Sequence, residues 1–346
     1  MDFKYSIKKL YLNKPFITNN DSKKSINQLF VELKWGNFLG YGSSLILEDD
    51  NIFDFNNIQL EYLFNNYTPL ELESNIDKLM KNTEIPVCMR ISIEMALKDI
   101  KGKFYNCSLA ELWDIKLNNL PPSSVSIGCL DEDELIKEVT TYLNWPILKF
   151  KIRSEKDISK VNLVRKIYQG RIWIDANGSL TLESLKNLLP ILDELQVELL
   201  EQPLPKSNYK FLSGISQFRK DFKIKFVADE DCTSLDDIVN LKSYFDVINI
   251  KLTKCGGLTY SKSMLQQAKN YGIEVMLSCK TESTVSIAAI SNLAPLADYL
   301  DLDGFLDIQN DPFEGIKLNN GNLILNSNTG IGVTPKLEIF TEVNVK

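Results

Sequence analysis

Three short runs of the chain each end in an acid: Asp175 in WIDAN, Glu201 in LLEQP and Asp229 in VADED. Two further runs carry lysines, Lys149 and Lys151 in LKFKI and Lys251 in INIKL. Residues two apart on a strand point to the same side, so Lys149 and Lys151 share a face. Alone, that pair suits an edge strand showing its lysines to water. Taken singly, each acid suits a helix cap. Brought to one point, three acids repel and raise one another's pKa unless a cation sits among them. A hard ion such as Mg²⁺ fits a cage of oxygens, with Mn²⁺ as the other option. Lysines flanking that ion could take and return a proton on opposite faces of a carbon beside a carboxylate. Such work needs a depressed amine pKa, which burial, a neighbouring amine and a divalent cation can supply. Lys149 is that neighbour for Lys151.

Composition narrows the chemistry. The chain of 346 residues contains no histidine, which removes the usual general base and the usual ligand of softer metals. With 44% hydrophobic and 25% charged residues it has the make-up of a large globular protein. A net charge of -7 with no basic cluster argues against nucleic acid as a partner. The six cysteines are scattered, with no C-x-x-C pair, so neither a zinc site nor a disulfide framework is expected. The opening MDFKYSIKKLYL has no apolar core of a leader, and no run of about eighteen apolar residues occurs, so no membrane partner is expected. A cytoplasmic protein is the expectation.

The elements that must position these residues can be read from the runs. The first hundred or so residues mix strand-like and helical stretches, up to ISIEMALKDIKGK, and Pro121-Pro122 mark a boundary. Eight β-rich runs follow: SVSIGC, PILKFKI, RIWIDAN, VELLEQP, IKFVADE, DVINIKL, EVMLSC and YLDLDG. They recur about every 20 to 30 residues, the spacing of strand-plus-helix units, and predict a parallel (β/α) barrel of seven or eight strands. A doubly wound open sheet is the competitor, but no glycine-rich phosphate turn follows the first runs. In such a barrel the active site lies at the C-terminal ends of the strands. Those ends read Lys149 and Lys151, Asp175, Glu201, Asp229, Lys251, Lys280, then Asp301 and Asp303. The last stretch, KLNNGNLILNSNTGIGVTP, reads as an irregular return to the first domain.

In this order the residues resemble the enolase superfamily, in its muconate-lactonizing branch: K-x-K, then Asp, Glu and Asp, then a second lysine. The matching stretches are LKFKI, IDANG, LEQPLP, ADED and NIKLTKCGG, and ISIEMALKDIKGK is similar to the helix near the end of the family's capping domain. The resemblance implies an α/β fold, a modified (β/α)₇β barrel with an N-terminal α+β capping domain. The expected divisions are 1–120 for the capping domain with a mobile covering loop near 14–25, 121–318 for the barrel, and 319–346 for the returning segment. The family's shared step is abstraction of the proton α to a carboxylate, with Mg²⁺ stabilising the enediolate. Carried over, the ligands of one Mg²⁺ per subunit are Asp175, Glu201 and Asp229. Lys151 is the base on one face and Lys251 on the other, Lys254 being its rival, while Lys149 tunes Lys151. Members are often oligomeric, which leaves a homo-oligomer open here.

Within the branch, YLDLDG resembles the D-x-D of the dipeptide epimerases, so Asp301 and Asp303 would hold the substrate's ammonium group, although a polar turn would read the same way. Ser124 is taken as a further substrate contact. The implied activity is inversion of the C-terminal α-carbon of a dipeptide, in the commonest case L-Ala-D/L-Glu from peptidoglycan turnover. One departure stands out. Where such members carry a loop arginine for the Glu side chain, counting on from KPF leads to Asp21. Lys280 is proposed to replace it, with Lys23 and Lys24 as backups. Asp21 instead would favour cationic dipeptides. The alternatives are an epimerase of cationic or hydrophobic dipeptides, an o-succinylbenzoate synthase, or a non-catalytic relative.

Overall fold

The structure is a computed structural model that describes residues 1–17, 22–50, 52, 58–215, 221–325 and 329–340. It begins with an antiparallel meander of β1 (Asp2–Ile17), β2 (Ser22–Trp35) and β3 (Phe38–Leu45). The helix Val87–Tyr105 lies across it, burying Ile93, Ala96, Leu97 and Ile100 against Leu29, Val31 and Leu33. Two glycines of β3 allow this approach: a Cβ on Gly42 would sit 1.8 Å from the Ser92 carbonyl oxygen, and one on Gly40 would sit 2.1 Å from that of Ala96. The helix ends where Asn106 turns left-handed, with φ 54°.

All eight β-rich runs form strands: β4 (Val125–Ile127), β5 (Ile147–Lys151), β6 (Arg171–Asp175), β7 (Val197–Glu201), β8 (Lys225–Ala228), β9 (Val247–Ile250), β10 (Glu274–Ser278) and β11 (Tyr299–Asp301). They pair in chain order, each parallel to the next. A parallel bridge from Ser123 to Leu300, with the Ser124 N–H donating to Leu300 O at 2.9 Å, joins the first strand to the last. That closure makes the sheet a barrel rather than an open, doubly wound sheet.

The C-terminal segment does reach the first sheet's helix. After the hairpin of Ile316–Asn319 with Asn322–Leu325, the Ile331 N–H donates to Asp99 Oδ1 at 3.0 Å. The buried Asp99 also accepts the Tyr41 N–H at 2.9 Å and pairs with Lys103 at 2.7 Å. One carboxylate thus ties meander, helix and returning segment together.

The stretch expected to be a covering loop is largely strand. Phe16 pairs with Lys23 and Ile17 with Ser22, so β1 and β2 run almost to their tip. Asp21 lies outside the described residues. Nearer its base the hairpin is fastened to the barrel: the Asn13 N–H donates to Asp307 O at 2.8 Å, the Gln309 N–H to Tyr11 O at 2.9 Å, and Lys14 bonds to Glu138.

Candidate active site

Strand periodicity builds the interior in layers. At the lower level Ile147, Trp173, Leu199, Val227, Val247, Met276 and Tyr299 form one apolar cluster. Two residues further along each strand stand Lys149, Asp175, Glu201, Asp229, Asn249, Ser278 and Asp301, all buried. A period of two carries every strand from an apolar plug to a polar layer on the same inner face. Two residues beyond that come Lys151, Lys251, Lys280 and Asp303.

One carboxylate oxygen from each of Asp175, Glu201 and Asp229 lies within 4.8 Å of the others. Lys149 Nζ reaches Glu201 Oε2 at 2.6 Å, Asp301 Oδ2 at 2.7 Å and Asp175 Oδ2 at 3.5 Å. Lys151 bonds to Asp175, and Lys251 to Asp229, across the cage from each other in strand order. The Lys254 amine is taken up by three acceptors, Asp229 O, Asp229 Oδ1 and Asn249 O, each at 2.6 Å. Its three donors are all used, leaving Lys251 as the amine of that pair with donors to spare.

Burial would lower the Lys149 amine, but Asp301, Glu201 and Asp175 outweigh it and hold its pKa well above the ordinary lysine value. Lys251 is raised against the same penalty, chiefly by Asp229 and Glu201. Among the acids the environments diverge. Burial, then the Asp175 charge, pushes Glu201 up to about 7. Asp229 stays well below the usual range because Lys251 and Lys254 outweigh its burial. A buried, all-oxygen set that keeps one member this reluctant to ionise fits a hard divalent cation, which would favour all three in the charged form.

On the eighth strand Asp301 accepts the Ser124 hydroxyl and a Lys149 proton, each at 2.7 Å. Asp303 accepts the Ser126 N–H at 2.6 Å, and burial with the Asp301 charge pushes it up to about 7. Asp303 lies beyond the end of β11, and both acids meet Ser126, Asp301 through its hydroxyl at 3.4 Å and Asp303 through its N–H. Ser124, expected as a substrate contact, is fully buried with its hydroxyl donated to Asp301. Lys280 stands at the exposed rim, its amine lowered by burial and then by Lys251, with Lys23 of β2 also close enough to act.

Sequence reasoning passed over several residues that shape the site. Asn249 donates to Glu201 Oε1 at 2.8 Å and accepts the Ser278 hydroxyl. Gln202 accepts the Asp229 N–H at 3.1 Å and donates to Asp231 at 2.7 Å, fixing the turn that presents Asp229. Glu230 meets the Asn177 amide at 3.3 Å.

Residues 133–339 match the family model described as enolase C-terminal domain-like. The chain belongs to this family, within the enolase superfamily. An L-Ala-D/L-amino acid epimerase of Flavobacterium johnsoniae is 32% identical over 332 residues, 94% of this chain and 97% of that protein. An L-Ala-D/L-Glu epimerase of Bacteroides thetaiotaomicron is 29% identical, over 96% of this chain and 86% of its own length. Among solved structures, the dipeptide epimerase of Methylococcus capsulatus, complexed with Mg and the dipeptide L-Arg-D-Lys, superposes with a TM-score of 0.87 at 25% identity, covering 96% of this chain and 98% of that one. This chain sets its acids at the ends of three consecutive barrel strands, β6, β7 and β8, and no helix among the described residues is long and apolar enough to cross a membrane.

Calorimetric titration with Mg²⁺ should find one site per chain. Glu201→Gln should weaken it beyond the roughly 10- to 100-fold cost of losing an outer-shell partner. Unchanged affinity in that variant would remove Glu201 from the metal site.

Proposed function

We propose that the protein is a Mg²⁺-dependent dipeptide epimerase, an isomerase that inverts the α-carbon of the C-terminal residue with two lysine bases. The observation that carries this reading is the pair Lys151 and Lys251. They pair with Asp175 and Asp229, and three strands, β6 to β8, separate their positions in the sheet. A carbon held against the Asp175–Glu201–Asp229 cage would face an amine on either side. The Mg²⁺ bound there would supply the positive charge that holds the substrate carboxylate and makes its α-proton more acidic. One lysine removes that proton, the α-carbon flattens, and the opposite lysine returns a proton to the other face. The pull that holds Lys251 above the ordinary lysine value weakens when a divalent cation takes over the carboxylates it now neutralises.

The substrate ammonium group is assigned chiefly to Asp303. Asp301 already carries the Lys149 and Ser124 bonds and works as the fixed partner beside it. Lys280, with Lys23 from the hairpin, gathers positive charge at the rim, which favours an acidic side chain on the C-terminal residue. Lys24, one residue from Lys23, faces the other side of β2. An Ala-Glu substrate would put the enzyme in peptidoglycan-peptide turnover, and six cysteines without a disulfide among the described residues suit a cytoplasmic location. In this reading residues 1–120 cap a barrel of 121–318, and 319–346 return to the cap.

Three outcomes test the proposal. In D₂O with Mg²⁺ and L-Ala-L-Glu or L-Ala-D-Glu, Lys151→Ala and Lys251→Ala should each lose epimerisation by about 10²- to 10⁴-fold. Each should keep α-deuterium entry into one diastereomer only, opposite in the two variants; entry into both with either lysine gone would sink the two-base assignment. Lys280→Met should raise KM for Ala-Glu about tenfold or more while sparing Ala-Phe, a loss of one charge-assisted contact. An unaltered preference would remove Lys280 from that role, and a wild type that favours Ala-Lys would support a cationic substrate. Finally, kcat/KM should fall as pH drops below about 7, where Asp303 takes up a proton and no longer attracts the ammonium group. Asp303→Asn should flatten that limb of the profile.

A further inference from the structure

We infer that Glu94, a residue of the capping helix far from the reacting atoms, is a positioning residue for Lys251. The inference rests on the two-base reading above. Glu94 is fully buried on the helix Val87–Tyr105, yet its carboxylate is spent on the barrel. Glu94 Oε2 accepts the Leu258 N–H and Oε1 the Thr259 N–H, both at 2.8 Å, and the Thr259 hydroxyl donates to it as well.

These are the first N–H groups of the helix Leu258–Tyr271, which its own chain leaves without a side-chain cap. The residue at the cap position is Gly257, with φ 128°, and a Cβ there would lie 2.2 Å from Glu94 Oε2. The glycine is therefore needed twice, for its backbone angle and for the space that the incoming carboxylate occupies. A negative group at this end also meets the favourable end of the helix dipole. Lys98 Nζ, 3.7 Å from Glu94 and itself 3.0 Å from Glu73, balances the buried charge.

From this anchor the chain runs back to Lys251 without slack. The Gly257 N–H donates to Leu252 O at 3.1 Å and the Gly256 N–H to the same oxygen at 3.0 Å. The Lys254 and Cys255 N–H groups both donate to Lys251 O at 3.0 Å. Lys251 is the first residue after β9 and the cap of the four-residue helix Leu252–Cys255. On its strand side it is held by the β-ladder; on its other side it is held by this short stack, whose far end is fixed by Glu94. Lys151 has no such dependence, since it is the last residue of β5 and still pairs with Asp175 in the ladder. Loss of the anchor should therefore act on one face of the reaction only, whereas a residue that merely holds cap and barrel together would weaken both faces equally.

The test reads each base alone. Glu94→Gln is placed in the Lys151→Ala and the Lys251→Ala backgrounds, and α-deuterium entry is followed with Mg²⁺ and whichever of Ala-Glu, Ala-Lys or Ala-Phe the wild type exchanges fastest. A displacement of the order of 1 Å predicts a fall of about 10- to 100-fold in the Lys151→Ala background and a change within about threefold in the Lys251→Ala background, with KM little altered in both. Equal loss in the two backgrounds, or no loss in either, overturns the inference. If Glu94→Gln does not fold, Thr259→Val, which removes only the hydroxyl contact, must give the same one-sided loss in weaker form; a two-sided or absent effect overturns the inference equally. If the wild type exchanges no α-proton of any of these peptides, the epimerase reading fails by itself. Amide hydrogen exchange across residues 251–260 of the Mg²⁺-loaded protein then decides the anchor: faster exchange in Glu94→Gln supports it, and unchanged exchange overturns it.

Discussion

The barrel interior has to bury charge. Lys149, Asp175, Glu201, Asp229 and Asp301 point into one layer that is nearly sealed from solvent, and each unpaired charge there would cost several kcal/mol. The layer is tolerable because its members neutralise one another. Lys149 alone contacts Glu201, Asp301 and Asp175, so it links the acids of β6 and β7 to the acid of β11 across the barrel. Neutral residues complete the pairing: Asn249 serves Glu201, Ser278 serves Asn249, and Ser124 serves Asp301. The apolar plug beneath, with Trp173 at its widest side chain, keeps water from entering by the opposite end. What makes the site costly to fold also makes it useful, because fixed charges in a dry cavity act on a substrate more strongly than they would in water.

Much of this was legible because charge at the end of a β-rich run is conspicuous. Asp175, Glu201, Asp229 and the three lysines could be picked out by type, and the period of two put Lys149 with Lys151 and Asp301 with Asp303 on common faces. Asn249 and Ser278 stand at the same spacing, two residues before Lys251 and Lys280, but carry no charge and so gave no signal. Lys251 could be preferred to Lys254 by its place in the β-rich run, but spacing does not announce that Lys254 folds back onto Asp229 and onto the carbonyl of Asn249. The stretch near residues 14–25 is expected to be a loop only from the family resemblance. Its flanks are strand because β1 and β2 continue to pair past the edge of the sheet. Closure of the barrel, too, joins Ser123 to Leu300 and Ser124 to Asp301, residues far apart in the chain with no local mark.

The capping part is held to the barrel and to the returning segment by buried carboxylates rather than by apolar contact alone. Asp99 gathers Tyr41, Lys103 and Ile331, while five residues earlier Glu94 reaches Leu258 and Thr259. The hairpin is fastened separately, by β1 to residues 307–310, just after Asp303. The two fastenings serve different ends of the site. One lies behind the strand that bears Lys251, and the other lies beside the acid assigned to the ammonium group. A cap so attached sets the distance between those two sides, which a substrate spanning from its ammonium group to its reacting carbon must match.

That arrangement leaves the two bases unequally supported. Lys151 is the last residue of a strand whose ladder fixes it from β6, whereas Lys251 lies at the junction of a strand with a short helix and depends on contacts six to eight residues away. An isomerase cannot use such inequality to change the ratio of its two diastereomers, since that ratio belongs to the peptides. It can only divide the barrier unevenly between the two proton transfers, which both directions share, with the looser base exacting the larger cost of alignment. The capping helix, by bracing the looser side, brings the two faces toward equal competence, and this gives a buried acid remote from the substrate a physical reason to stand where it does.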